Sequence, residues 1–358
     1  MQRQALIRRL LLLLSISSLG LALPACETNA PPSILGLPDL GRDNATHPTA
    51  FLPNLPKVLP IQGYLSPKAK GPPYPLILVH GFFGFEKIGP FTYFHGVKSA
   101  LVKDGHDVHI AVLDPFNSSI VRGGQLAAFV AEVLDKTGAA KVNLIAHSQG
   151  GLDARFVASQ MPQNIGAIFT VAAPHLGDKL ADILLGKLPG LSKTLFQAVA
   201  RALGRPLYGD IAQDTDLMAS MTFLATDSVK AFNAQYPDEE QVAYFSVGGR
   251  SGLTLAKDVC QAPLAPPFIT QWAGDRDPVE TLLVPTWTAM AGSLFSPTPN
   301  DGIVTTAATK WGTWLGCIPA DHFDEVGQLA GDSPGLGNSF DHIAFYRHVA
   351  SYLVTKGF

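Results

Sequence analysis

A serine in this chain stands in a setting that suits nucleophilic catalysis. Ser148 follows the apolar run VNLIAH, residues 142–147, and precedes Gly150 and Gly151, after which the chain reads as a helix. A nucleophile elbow has this order of strand, serine and helix, and its tight turn needs small residues on both sides of the serine. Ala146 stands where such elbows usually carry a glycine, but alanine adds only one methyl group. We therefore predict that Ser148 is a working nucleophile rather than a serine in an ordinary turn.

A serine that attacks an ester carbonyl requires hydrogen-bond donors for the oxyanion that forms. The backbone N–H of Gln149, where the helix begins, can supply one donor. The second donor is expected in the loop after an earlier strand. The stretch HGFFGF, residues 80–85, follows the apolar run LILV, and its glycines let the backbone approach a substrate. The N–H of Phe82 is the natural candidate, and His80 is expected to hold this loop by hydrogen bonding rather than to act as a base.

The acid and the base are expected after the nucleophile, in the order serine, aspartate, histidine. Asp301 in PNDGIV lies in a turn before an apolar run, and His322 in ADHFDEVGQ lies in a polar loop. His342 lies in a helix-like segment and reads as a packing or surface residue, and His175 precedes the acid. The sequence thus predicts acyl transfer in which His322 takes the proton of Ser148 and Asp301 stabilises the imidazolium.

These residues need a scaffold that brings them together, and the sequence predicts a parallel sheet. The apolar runs PLILVHG, DVHIAVLDP, KVNLIAHS and GAIFTVAAPH alternate with helical segments such as residues 125–136, whose apolar side chains share one face. Such alternation indicates an α/β fold with right-handed crossovers. Ligands bind beyond the carboxyl ends of the strands in these sheets, where His80, Ser148 and His175 are placed.

The composition supports one large core and excludes two classes of protein. Of the 358 residues, 47% are hydrophobic and 15% are charged, with a formal net charge of −3, which argues against disorder and nucleic-acid binding. One segment, residues 180–207, interrupts the alternation of strands and helices. It carries an apolar stripe at four-residue spacing: Leu191, Leu195, Val199 and Leu203. This stripe is either a mobile lid that meets lipid or a helix packed permanently on the core.

The N-terminus reads as an export signal. Arginines precede an apolar run over residues 10–23, which is the pattern of a secretory signal peptide. The signal, residues 1–26, ends in Leu-Pro-Ala-Cys and resembles a bacterial lipoprotein box, in which Cys26 would be lipidated; Pro24 departs from the usual small residue. The alternative is ordinary cleavage after Ala25. Residues 27–73 read as a proline-rich tether. We expect an outer-membrane or cell-surface lipoprotein, with free secretion as the alternative.

The chain contains three cysteines, Cys26, Cys260 and Cys317. An odd number in an exported protein raises the question of which one is unpaired. If Cys26 carries lipid, Cys260 and Cys317 remain as a disulfide pair in an oxidising compartment. The alternative is that both are buried free thiols.

Seven stretches occur in one order that resembles the bacterial true lipases typified by secreted Pseudomonas and Burkholderia enzymes, in the α/β-hydrolase superfamily. These are YPLILVHGFFGF, VRGGQL, KVNLIAHSQGG, TVAAPHLG, FNAQYP, NDGIV and HFDEVGQ, and the resemblance covers residues 74–358. It implies an α/β-hydrolase fold, with a mostly parallel central sheet flanked by helices and a helical lid over residues 178–230. It also implies triacylglycerol lipase activity at a lipid–water interface. The family's nucleophile, acid and base fall on Ser148, Asp301 and His322, and its oxyanion donors fall on Phe82 and Gln149.

The resemblance further implies a structural calcium ion and no organic cofactor. Its ligands would be the carboxylates of Asp277 and Asp324, with backbone carbonyls near Gln328 and Asp332. Ca²⁺ takes 6–8 oxygen ligands, which two acidic side chains, carbonyls and waters can supply. Asp275 is an alternative to Asp277, because the segment before the acid does not align cleanly. The alternative to the whole site is a turn at Asp277 and a surface acid at Asp324.

Two departures from the family affect these expectations. Cys317 does not sit where the family's second cysteine would, and a long tether behind a lipidated cysteine is not typical. A Cys260–Cys317 bridge would therefore differ from the family's own disulfide, and the tether puts free secretion and reliance on a dedicated folding chaperone in doubt. The alternative activities are those of a carboxylesterase or a polyester depolymerase on the same triad. A surface-anchored binding protein without turnover is the alternative of a different class.

Overall fold

The computed structural model describes residues 70–88, 91–187, 214–252, 260, 262–263, 265–293, 297–327, 334–335 and 337–358. The predicted signal segment with Cys26, most of the tether, the apolar stripe of the expected lid, Gln328 and Asp332 lie outside these residues. In the part of the chain that is described, no helix is both long enough and apolar enough to cross a membrane.

A six-stranded parallel sheet forms the centre of the described domain. Its strands are β1 (Leu76–Val79), β4 (Val108–Ala111), β5 (Val142–His147), β6 (Ile165–Val171), β7 (Ala243–Gly249) and β8 (Thr313–Ile318). They lie in the spatial order β4-β1-β5-β6-β7-β8. The short strands β2 (Lys87–Ile88) and β3 (Phe91–Thr92) form a separate antiparallel pair. The α/β architecture expected from the alternating apolar runs is therefore present.

Residues of the central strands are buried on both faces of the sheet. Every residue of β1, β5 and β6 is buried, as expected for strands covered by helices on both sides. Successive side chains point to opposite faces. Leu76 and Leu78 accordingly join one hydrophobic cluster, and Ile77 and Val79 join the other.

Nine α-helices are found among the described residues. They are α1 (Val97–Lys103), α2 (Ser119–Thr137), α3 (Gly150–Gln160), α4 (Lys179–Leu184), α5 (Asp214–Leu224), α6 (Thr226–Gln235), α7 (Pro267–Thr270), α8 (Val284–Ala291) and α9 (His342–Thr355). Apolar residues of α1 and α9 cover one face of the sheet, and those of α2 and α3 cover the other. His342 begins α9, where its Nε2 lies 2.8 Å from the carbonyl oxygen of His95, so it is a packing residue.

Both described ends of the expected lid segment pack on the domain. Leu180 of α4, Leu224 of α5 and Phe232 of α6 join one hydrophobic cluster with Phe156 of α3. Asp182 of α4 accepts hydrogen bonds from the N–H and hydroxyl groups of Thr226, which ties α4 to α6. Helix α4, before residues 188–213, and helices α5 and α6, after them, therefore pack on the domain.

Two further contacts attach segments of the chain to the domain. Lys70 forms a parallel bridge with Ala139, so pairing with the domain begins within the stretch read as tether. Cys260 and Cys317 form a disulfide with a Cα–Cα distance of 5.8 Å, which fixes the chain before α7 to β8. The expected pairing of these two cysteines is thus present.

Candidate active site

Ser148 lies at the sharp turn between β5 and α3. Its φ of 57° is in the left-handed region, which strains a residue that carries a side chain. The turn is tightly surrounded, since a Cβ atom on Gly150 would lie 2.7 Å from the carbonyl oxygens of Val79 and His80. Ala146, one residue before the end of β5, is fully buried. The fold therefore accommodates the methyl group of Ala146, and the turn depends on Gly150, two residues after the serine.

The structure brings the three residues of the expected triad together. The Nε2 atom of His322 lies 3.0 Å from the Oγ atom of Ser148. The Nδ1 atom of His322 lies 2.9 Å from Oδ2 of Asp301. Asp301 is completely buried, whereas the other two retain a small exposed fraction. This arrangement allows the imidazole to receive the serine proton while its Nδ1–H remains bonded to the carboxylate.

Backbone N–H groups hold the carboxylate of Asp301 in place. Oδ1 of Asp301 accepts hydrogen bonds from the N–H groups of Ile303 at 2.8 Å and Val304 at 2.6 Å, which leaves Oδ2 for the imidazole. The N–H of His322 donates to the carbonyl oxygen of Asp301 at 2.9 Å. The acid and the base are therefore fixed to each other through main chain as well as side chain.

The two candidate oxyanion donors flank the nucleophile. Within the described residues, neither the N–H of Phe82 nor that of Gln149 donates a hydrogen bond to a protein acceptor. The loop that carries Phe82 lies directly against the nucleophile, because a Cβ atom on Gly81 would come within 2.5 Å of Cβ of Ser148. Two N–H groups are thus available next to the serine hydroxyl, as an oxyanion hole requires.

His80 holds the oxyanion loop as a neutral side chain. Its Nε2 accepts the N–H of Leu113 at 3.0 Å, so the ring proton resides on Nδ1, which lies 2.9 Å from the carbonyl oxygen of Gly81. Burial, followed by the charge of Arg122, lowers the pKa of His80 to about 3. The residue therefore supports the loop by hydrogen bonding and is too weak a base for proton transfer at neutral pH.

Arg122 also holds this loop, a role that was not predicted from the sequence. Its side chain is fully buried and forms an ion pair with Asp153 of α3 at 2.8 Å. The same guanidinium donates to the carbonyl oxygens of His80 at 2.7 Å and of Asp114. The motif VRGGQL could have indicated this buried ion pair, because an arginine among apolar helix residues needs a partner when it is buried.

A second buried histidine lies behind the base. Nδ1 of His147 is 2.7 Å from the hydroxyl oxygen of Tyr93, and Nε2 of His147 is 2.7 Å from Oε2 of Glu325. Glu325 Oε2 is also 3.7 Å from Nδ1 of His322. Burial, followed by neighbouring aspartates, raises the pKa of Glu325 well above its ordinary value, and burial lowers that of His147. Sequence reasoning missed this network because its members lie far apart along the chain.

Three buried carboxylates gather beside the loop that carries His322. One oxygen atom from each of Asp277, Asp321 and Asp324 lies within 4.8 Å of the others. Asp277 and Asp324 were expected there, whereas Asp321 was missed, although it directly precedes the base. Asp275 lies elsewhere, since its carboxylate accepts hydrogen bonds from the N–H and hydroxyl of Ser339.

The three carboxylates of this group repel one another electrostatically. Burial, followed by the charges of Asp321 and Asp324, raises the pKa of Asp277 to about 10. Asp321 is held by backbone donors, including the N–H of Glu280 at 2.7 Å. Like charges this close disfavour ionisation unless a cation compensates them, and hard oxygen donors suit Ca²⁺. The expected ligands Gln328 and Asp332 lie outside the described residues.

His175 lies apart from the nucleophile, in a structural cluster. Its Nε2 is 2.9 Å from the hydroxyl of Thr170, and its ring stacks on Trp311. The guanidinium of Arg155 lies 3.6 Å from the centre of a Trp311 ring, and its Nη1 donates to Asn233 at 2.7 Å. The motif FNAQYP therefore serves to fix α6 to α3.

Comparison with known proteins identifies relatives with this organisation. The family described as alpha/beta hydrolase fold matches residues 74–256. A triacylglycerol lipase of Vibrio cholerae is 33% identical over 308 residues, covering 83% of this chain and 91% of the relative. A triacylglycerol lipase of Burkholderia plantarii is 31% identical over 320 residues, covering 79% of this chain and 87% of the relative.

Solved structures show the same fold at lower identity. A metagenomic carboxyl esterase superposes with a TM-score of 0.57 and 17% identity, covering 80% of this chain and 77% of the esterase. Lipase 1 from Pelosinus fermentans superposes with a TM-score of 0.53 and 18% identity, covering 78% of this chain and 98% of the lipase.

Proposed function

Since the chain belongs to the α/β-hydrolase family and is an ester-hydrolysing enzyme, we propose that it is a triacylglycerol lipase in which Ser148, His322 and Asp301 carry out the reaction. The observation that carries the assignment of residues is the continuous hydrogen-bonded line from the serine hydroxyl through the imidazole to the carboxylate, at 3.0 and 2.9 Å. The substrate class is inferred from the relatives, whose names specify triacylglycerols.

The proposed reaction proceeds through an acyl-enzyme. Oγ of Ser148 attacks the ester carbonyl while Nε2 of His322 takes its proton. The resulting oxyanion is bonded by the N–H groups of Phe82 and Gln149, which have no other acceptor in the described structure. His322 then gives its proton to the leaving alcohol, and water deacylates the serine by the same steps in reverse order. Asp301 stabilises the imidazolium and fixes its tautomer.

The assignment of the base can be tested with a matched control. We expect Ser148→Ala and His322→Ala each to remove ester hydrolysis, by about 10⁶ in kcat for a full loss of triad function. His342→Ala is the control, because this histidine packs against the His95 carbonyl and not against the nucleophile. Circular dichroism would verify folding. Loss of turnover in His342→Ala with activity kept in His322→Ala would overturn the assignment.

The substrate class needs a separate measurement. Hydrolysis rates on dissolved short-chain esters, on emulsified triacylglycerols and on a polyester film would separate a lipase from a carboxylesterase or a polyester depolymerase. If the enzyme is a lipase, we expect higher rates on emulsions above the solubility limit than on monomeric esters. Higher rates on dissolved short esters, with none on emulsions, would support the carboxylesterase instead.

We propose that Asp277, Asp321 and Asp324 hold a structural Ca²⁺ ion. The support is the clustering of three buried carboxylates within 4.8 Å, two of them on the loop that carries the base and the third, Asp277, from a distant segment. The bound ion would compensate their charge, and Asp324 and Asp321 would then fix the loop on each side of His322. Backbone carbonyls near Gln328 and Asp332 remain proposed ligands.

Melting curves with and without chelator would test the calcium site, after elemental analysis of the metal-loaded protein. Binding to the native state stabilises it by about 2.7 kcal/mol at a hundredfold excess over Kd. We expect chelation to lower Tm in the wild type but not in Asp324→Ala. The control is Asp275→Ala, which removes a nearby carboxylate outside the cluster and should keep the calcium response. An unchanged melting curve of metal-loaded wild type would contradict the proposal.

The N-terminal features support a proposal about location. We propose that Cys26 is lipidated and that residues 27–73 tether the enzyme to the outer membrane or the cell surface. The support is the apolar run that ends in Leu-Pro-Ala-Cys. Fatty acid labelling in the native host should occur in the wild type and be lost in Cys26→Ser. Recovery of unmodified mature protein from the medium would contradict the anchor and support free secretion.

A further inference from the structure

The direction of the proposed oxyanion donor at Phe82 depends on the residue before it. The N–H of Phe82 belongs to the peptide group whose carbonyl is that of Gly81, and the two point in opposite directions across a planar trans peptide. Gly81 is anchored at both of its polar groups. Its carbonyl accepts the N–H of Gly84 at 3.1 Å and faces Nδ1 of His80 at 2.9 Å, while its N–H donates to the hydroxyl of Tyr93 at 3.1 Å.

The hydroxyl of Tyr93 lies in a chain of buried hydrogen bonds. It accepts the N–H of Gly81 at 3.1 Å and lies 2.7 Å from Nδ1 of His147. Nε2 of His147 lies 2.7 Å from Oε2 of Glu325. All of these side chains are buried, so water does not supply replacement partners. The hydroxyl therefore connects the oxyanion loop to a fixed network in the core.

We propose that Tyr93 is a positioning residue of the oxyanion hole, whose hydroxyl holds the N–H of Gly81 and thereby aims the N–H of Phe82 at the reacting oxygen. The inference rests on the proposed function, because it assumes that Ser148 is acylated.

Close packing makes the position of Gly81 consequential for the reaction. A Cβ atom at this position would lie 2.5 Å from Cβ of Ser148 and 2.9 Å from its hydroxyl oxygen, so the loop backbone is in direct contact with the nucleophile. An oxyanion donor acts only when it is preorganised at hydrogen-bond distance from the developing charge. If the hydroxyl of Tyr93 were removed, a small movement of Gly81 would therefore weaken the hydrogen bond from the N–H of Phe82 to the oxyanion.

The ring of Tyr93 packs independently of its hydroxyl. It contacts Phe85 and Phe94 edge-to-face, with ring centroids 6.0 and 5.1 Å apart. Tyr93→Phe should thus keep the packing and remove only the anchor. Tyr346 offers a matched control, because it is equally buried in the same hydrophobic cluster and its hydroxyl has no hydrogen-bond partner among the described residues.

The experiment compares Tyr93→Phe and Tyr346→Phe with the wild type on a soluble ester and on the matching thionoester. Removing a whole oxyanion donor costs about 10²–10³ in kcat, so misdirecting one predicts a loss of about 10- to 100-fold for Tyr93→Phe, with KM nearly unchanged. The thionoester should lose less, because sulfur is a poor hydrogen-bond acceptor. Tyr346→Phe should keep the wild-type kcat.

Three results would overturn the proposal. The first is an unchanged kcat in Tyr93→Phe. The second is an equal loss on both substrates, which would indicate general disorder of the site. The third is a shift in the acid limb of the pH–rate profile, which would place the effect on His322 through Glu325, 3.7 Å from its Nδ1. A wild type that a serine-reactive phosphonate does not label would instead reject the proposed function itself.

Discussion

Replacing Arg122 by methionine should destabilise the enzyme and impair its oxyanion loop. The guanidinium is fully buried and has three partners, which are the carboxylate of Asp153 and the carbonyl oxygens of His80 and Asp114. Methionine keeps most of the side-chain volume but cannot donate a hydrogen bond. The variant therefore leaves a buried carboxyl group and two buried carbonyls without this donor.

The expected magnitude follows from these partners. Removing one member of a buried ion pair costs about 3–5 kcal/mol, a large part of a total stability of about 5–15 kcal/mol. Burial already raises the pKa of Asp153, and the nearby Arg122 opposes that rise. Without Arg122 the pKa should rise further, so the protonated form is favoured. A group with a raised folded-state pKa loses stability as pH rises, and the deficit should therefore be larger at pH 8 than at pH 5.

Urea unfolding of Arg122→Met, Asp153→Asn and the double variant would measure this effect. We expect the double variant to be more stable than the sum of the single losses predicts, because the neutral amide no longer needs a cation. Activity per folded molecule should also fall, since the His80 carbonyl adjoins the oxyanion loop. A loss of less than about 1 kcal/mol in Arg122→Met, or strictly additive losses, would show that the buried pair does not stabilise the fold in this way.

Three further predictions concern the elbow, a buried acid and the disulfide. Ala146→Gly should remain active in an ester assay, whereas Ala146→Val should fail, because a branched side chain would crowd the turn. Burial raises the pKa of Asp178 to about 7, so the stability that its protonated form contributes is lost as pH rises from about 4 to 7. Asp178→Asn should therefore be more stable than the wild type at pH 8 but not at pH 4. Thermal melts at the two pH values would measure the difference. Replacing Cys260 and Cys317 together by serine should cost about 2–4 kcal/mol in urea unfolding, because their bond closes a loop with a sequence separation of 57 residues.

The features that sequence reasoning predicted well depend on neighbouring residues. The elbow could be predicted because an apolar strand, Ser148 and a glycine-started helix are contiguous. The juxtaposition of Ser148, Asp301 and His322 could be predicted from their order along the chain and from the polar turns that carry the last two. Four of the central strands could be predicted in the same way, as continuous apolar runs.

The features that were missed depend on distant residues. His147 and Glu325 are 178 positions apart, and no local pattern connects them. The strands β7 and β8 lie among irregular segments, so their pairing is set by the sheet rather than by their own sequence. Asp321 was missed because no local pattern connects it to Asp277, which the fold brings beside it. The predictions about Cys26, the lid stripe, Gln328 and Asp332 remain predictions.

We propose that Ser148 is the nucleophile of an ester-hydrolysing triad. Peptide mass spectrometry after reaction with a serine-reactive phosphonate, with ester hydrolysis followed in parallel, tests it most directly. We expect one label per chain on Ser148, loss of hydrolysis in proportion to labelling, no label in Ser148→Ala and slow labelling in His322→Ala. Hydrolysis that persists in the fully labelled enzyme or in Ser148→Ala would contradict it.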